Sequence, residues 1–139
     1  MKNPVVHFEM PAKDKKRVSV FYTEAFGWDM QDMGENMGGY IVATTTDSDP
    51  KTGRPTDPGS INGGFFAYDP QKPGFQYPSV VIAVDDLKKA MEDVVKAGGT
   101  VIGGQKPGEP DDIPGIGLYI AIMDTEGNRV GLLQPSPSM

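Results

Sequence analysis

The segment HFEMPAKDKKRVSVFYTEAFG (7–27) can be laid over SVVIAVDDLKKAMEDVVKAGG (79–99) at a constant offset of 72 positions. Asp14 then falls on Asp86, Ala25 on Ala97 and Gly27 on Gly99. A repeat of this kind limits the fold strongly, because both halves must build the same supersecondary unit. Each segment reads as a strand, a capping Asp and an amphipathic helix closed by Gly. Val18, Phe21, Tyr22 and Ala25 follow the i, i+3, i+4, i+7 pattern of a helix face, as do Leu87, Ala90, Met91 and Val94. Asp14 and either Asp85 or Asp86 can accept from the free N–H groups of a first helical turn. Gly27 and Gly98 can take the left-handed conformation that ends a helix.

The tails match as well. YIVATT (40–45) resembles YIAIMD (119–124), and each precedes a second apolar strand, INGGFFAY (61–68) and RVGLLQ (129–134). Short strands near 28–33 and 99–103 complete the halves. The chain is thus expected to be one α+β domain of 139 residues, built of two βαβββ modules. Module one covers about 1–68 and module two about 79–139. The Pro-rich stretch DPQKPGFQYP (69–78) joins them as a linker.

The first strand poses the functional question. His7 is the only histidine, and strand alternation points it to the same side as Glu9, with Val6, Phe8 and Met10 toward a core. The pair is either an acid/base or metal site or a partly solvated face. With Glu9 beside it, the imidazole is expected to titrate above the ordinary value of about 6.5.

Composition removes several classes. The net charge of −6 argues against nucleic-acid phosphates and anionic lipid as partners. The absence of cysteine excludes disulfides, thiolate metal sites and a cysteine nucleophile. No membrane span or signal peptide is expected, so the location anticipated is cytoplasmic.

HFEMPAKD, FYTEAFGW (21–28), VVIAVDDL (80–87), KAGGTV (96–101) and DTEGNRVGLLQ (124–134) together resemble the vicinal oxygen chelate superfamily. It includes glyoxalase I, bleomycin-resistance proteins and extradiol dioxygenases. The resemblance implies paired βαβββ modules whose curved mixed sheets surround a shared cavity, usually in a homodimer. In metal-dependent members, ligands come from the first and last strands of each module. Carried over to this chain, the first-strand position seven residues before the capping Asp is His7 in one module and Ser79 in the other. The last-strand position is Gly63 or Gly64 in one and Gly131 in the other, where the family has Glu. Gln134 has the wrong strand parity to help.

His7 is then the single residual ligand position, and a catalytic metal needs about three protein ligands. No cofactor is expected, and a divalent metal is disfavoured. His7 and Glu9 are the candidate catalytic or anchoring groups. Tyr40, Tyr119, Ser79 and Trp28 are candidate ligand contacts, although Trp28 and the tyrosines also suit packing. Asp124 and Asn128 flank Gly127 in an expected hairpin turn. Two long loops, 47–60 and 103–117, are candidate lids or subunit edges. The expected function is binding, or metal-independent conversion, of a small and partly apolar molecule. The alternatives are a metal-dependent lyase, isomerase or dioxygenase, and a resistance protein that sequesters a drug without chemistry.

Overall fold

In the computed structural model residues 2–136 are described. They form an α+β fold with parallel and antiparallel strand pairing, and they divide into two units. One comprises His7–Pro78. The other gathers the chain from Ser79 onward with the residues that precede His7.

The N-terminal unit contains most of β1 (Val5–Ala12), then α1 (Lys15–Phe26), β2 (Asp29–Asp32), β3 (Ile41–Thr44) and β4 (Asn62–Ala67). Its strands lie in the order β2-β3-β4-β1, with β4 parallel to β1 and the other pairs antiparallel. Asp14 caps α1 by accepting from Arg17 N–H at 2.9 Å. Gly27 (φ 73°) closes the helix, its N–H donating to the Thr23 carbonyl at 3.0 Å. Ile41, Ala43, Phe65 and Ala12 form the core, against which Phe8, Met10, Val18, Tyr22, Trp28 and Met30 pack.

Two sequence expectations need correction here. Val6 is exposed, because β4 covers β1 only from His7 onward. Phe21 and Ala25 face outward, so of the four residues on the predicted face Val18 and Tyr22 pack on the core, a narrower stripe than periodicity implied. The stretch 69–78 forms no helix or strand, as a linker requires, and is held by local contacts: the Phe75 and Phe66 rings meet edge to face at 5.1 Å, and the Gln76 amide donates to the carbonyls of Lys72 and Asp69.

The C-terminal unit contains β5 (Ser79–Ala83), α2 (Leu87–Lys96), β6 (Thr100–Gly103), β7 (Asp111–Ile113), β8 (Gly117–Met123) and β9 (Arg129–Pro135). The order is β5-β9-β8-β6, with β5 and β9 parallel and β7 also paired to β8. β7 falls inside the expected loop 103–117, where three residues find backbone partners along β8. Asp86 caps α2 through Lys89 N–H at 3.1 Å. Leu87, Ala90, Met91 and Val94 all meet the core of Val84, Ile120, Ile122 and Leu132, as the periodicity required.

Candidate functional site

In the N-terminal unit the β1–β4 register pairs His7 with Asn62, Phe8 with Gly63 and Glu9 with Gly64. Neighbours in register present side chains to the same side. Gly64 therefore shares the His7–Glu9 face, whereas Gly63 lies under the Phe8 ring. Tyr40 precedes β3 and is held there by its carbonyl, which accepts from Met33 N–H at 2.8 Å. Its hydroxyl lies 3.2 Å from His7 Nε2. Its ring and hydroxyl occupy the space that any Cβ on Gly64 would need.

Glu9 is buried, with 7% of its surface exposed, so it is no rim residue. Its charge raises the affinity of His7 for a proton, as anticipated, but burial of the ring outweighs it and the His7 pKa lies below 6.5. The expected upward shift is thus reversed, because desolvation penalises the imidazolium more than the carboxylate stabilises it. His7 is a neutral imidazole at neutral pH. Its Nε2 accepts the Tyr40 hydroxyl proton in one tautomer and donates to the phenol oxygen in the other.

The C-terminal unit repeats this plan with different side chains. Val81 is in register with Gly131, and Ala121 lies across from Gly131 as Val42 lies across from Gly64. Ser79, Tyr119 and Gly131 thus correspond to His7, Tyr40 and Gly64, and Val81 takes the place of Glu9. A Cβ on Gly131 would come within 2.7 Å of the Tyr119 ring and 2.8 Å of its hydroxyl.

Arg129, absent from the sequence reading, completes this cluster. It is buried, and its guanidinium donates to Tyr119 Oη at 3.2 Å and Ser79 Oγ at 3.4 Å. The available signal was parity: Arg129 sits two residues before Gly131, hence on the same strand face. Asn62 is its counterpart and has a different task. Its carbonyl oxygen accepts from the N–H groups of Thr45 at 2.7 Å and Thr46 at 3.1 Å, tying down the start of the loop 47–60.

The remaining candidates have structural places. Trp28 stacks on Tyr22 at 4.6 Å with 12° between ring planes, and it meets Phe8, which alternates away from His7. Gln134 accepts from Leu87 N–H at 2.9 Å and so serves the first turn of α2. Asp124 accepts from the backbone of Glu126 and Asn128 and from the Asn128 side chain, which holds its carboxyl below the usual range. Gly127 (φ 85°) completes that turn. An open groove of about 590 Å³ on the N-terminal unit, bordered by Lys13, Arg17, Phe21, Tyr68 and Gln76, contains none of the candidate site residues.

The residues present do not fit the divalent metal that the resemblance implies for some members. Among the described residues no three His, Cys, Asp or Glu side chains converge. Tyrosine rings fill the last-strand positions of both units. In the C-terminal unit the Arg129 cation stands beside Ser79, where it would repel a metal ion.

The sequence model of the Glyoxalase/Bleomycin resistance protein/Dioxygenase superfamily matches residues 5–132. No curated protein matches the chain. Among solved structures, methylmalonyl-CoA epimerase from Mycobacterium tuberculosis is 14% identical, with TM-score 0.63 over 96% of this chain and 88% of its own. A glyoxalase/bleomycin resistance protein/dioxygenase superfamily member from Vibrio splendidus is 10% identical, with TM-score 0.60 over 97% and 100%. A hypothetical protein from Bacillus halodurans is 13% identical, with TM-score 0.65 over 100% and 99%. At these identities the likeness concerns the fold.

Proposed function

This chain belongs to the Glyoxalase/Bleomycin resistance protein/Dioxygenase superfamily, and on that premise we propose that it handles a small, partly apolar molecule without a metal. The proposed site is the strand face carrying His7, Glu9 and Tyr40. The observation that supports this reading is the Tyr40 hydroxyl 3.2 Å from His7 Nε2, over a strand position that has no side chain.

A neutral imidazole paired to a phenol offers a ligand one hydrogen bond from a polar group that carries no net charge. That chemistry suits a carbonyl or hydroxyl on an otherwise apolar molecule. It also gives a metal-independent route for moving one proton, with His7 as acceptor. A fold shared at 14% identity brings no substrate with it, so the acyl-CoA chemistry of the epimerases is not carried over. The protein is proposed to work as a cytoplasmic homodimer.

Native mass spectrometry of tag-free protein tests this directly. The expected spectrum is a dimer carrying a small organic adduct, reduced in occupancy by His7→Gln and by Tyr40→Phe. A transition-metal adduct removed by His7→Gln would replace this reading with metal-dependent chemistry.

A further inference from the structure

We propose that Tyr40 and Tyr119 are plugs, and that the last-strand ligand position which the resemblance implies in each unit is closed by a filled volume as well as by a missing ligand. The argument starts from two glycines. Gly64 and Gly131 lie inside β4 and β9, where glycine weakens a strand and often marks a close approach. Neither has a positive φ, so neither is needed for its backbone conformation. What both share is a tyrosine where their side chain would be. Alanine at 64 would collide with the Tyr40 ring and hydroxyl, and alanine at 131 would approach Tyr119 Cε2 to 2.7 Å.

The two tyrosines are also fixed by polar contacts to the first-strand position of their own unit. Tyr40 reaches His7 directly. Tyr119 reaches Ser79 through the guanidinium of Arg129. The same arrangement therefore stands in both halves: a last-strand glycine, a tyrosine ring in the space its side chain would need, and a phenol oxygen tied to the polar group of the first strand. In the N-terminal unit this makes Tyr40 a positioning residue for His7. A carboxylate placed at position 64 could not point toward His7 while Tyr40 remains.

The inference rests on the metal-free reading of this face, but a packing measurement and a metal measurement can fail separately. The packing test is a double-mutant cycle in the full chain, using Gly64→Ala, Tyr40→Ala and their combination, with the corresponding set for Gly131 and Tyr119. Gly64→Ala alone should lower Tm by roughly 5–10 °C, as expected for overpacking. In the Tyr40→Ala background the same change should leave Tm unchanged or raise it, since alanine is the better strand residue. Equal losses in both backgrounds would overturn the proposal. The metal test is zinc titration of Gly64→Glu. No binding is expected, and binding of one zinc per chain that perturbs the His7 imidazole would overturn the plug while Tyr40 is intact.

Discussion

His7 shows how one residue can be found in a sequence and still be misjudged in sign. Its place on the first strand and its side shared with Glu9 follow from alternation alone. The depth of the ring does not, because burial depends on long-range packing such as the approach of Tyr40, whose hydroxyl meets Nε2 from thirty-three residues away in sequence. Burial prevails over the carboxylate, and the pKa falls below 6.5. The linkage has a definite sign. An imidazole with a native pKa below its unfolded value binds fewer protons when folded. Its contribution to stability is complete above pH 6.5 and declines as pH falls from there through the native pKa. An NMR titration of the single histidine should give a midpoint below 6.5, moved lower still by Glu9→Gln, which removes the raising influence. A midpoint above 6.5 would mean that the carboxylate outweighs burial after all.

At the scale of elements, the helices were legible and their faces only half so. Both caps fall on the aspartates that the repeat aligned, and α2 buries the stripe its period dictates. α1 has the same period, yet Phe21 stays exposed, since the period states which residues share a face and not how much of it is covered. β7 escaped because three residues among Gly and Pro have no periodicity to detect. Gln134, whose parity rules it out as a metal ligand, accepts instead from Leu87 N–H across forty-seven residues. The first turn of α2 therefore has two side-chain acceptors, Asp86 and Gln134. Asp86→Ala and Gln134→Ala should each cost about 1 kcal/mol in urea unfolding. A Gln134→Ala variant as stable as the parent would show that water serves Leu87 N–H equally well.

For the whole molecule, the repeat carried most of what sequence could give. It pointed to the α+β class and the paired modules, while the family that residues 5–132 match was legible only through the resemblance of motifs such as FYTEAFGW and DTEGNRVGLLQ. No helix among the described residues is long and apolar enough to cross a membrane. Repetition also makes the metal argument stronger than either half alone. Ser79 and Gly131 were readable as departures in one half, but the tyrosine over each glycine and the guanidinium beside Ser79 were not. Those are long-range contacts that a local pattern does not encode. The proposal that joins these scales is that the protein works without a bound metal. Its most direct test is the metal content of tag-free protein loaded with zinc and dialysed. The account predicts far less than one zinc per chain; a value near one per chain, abolished by His7→Ala, would contradict it.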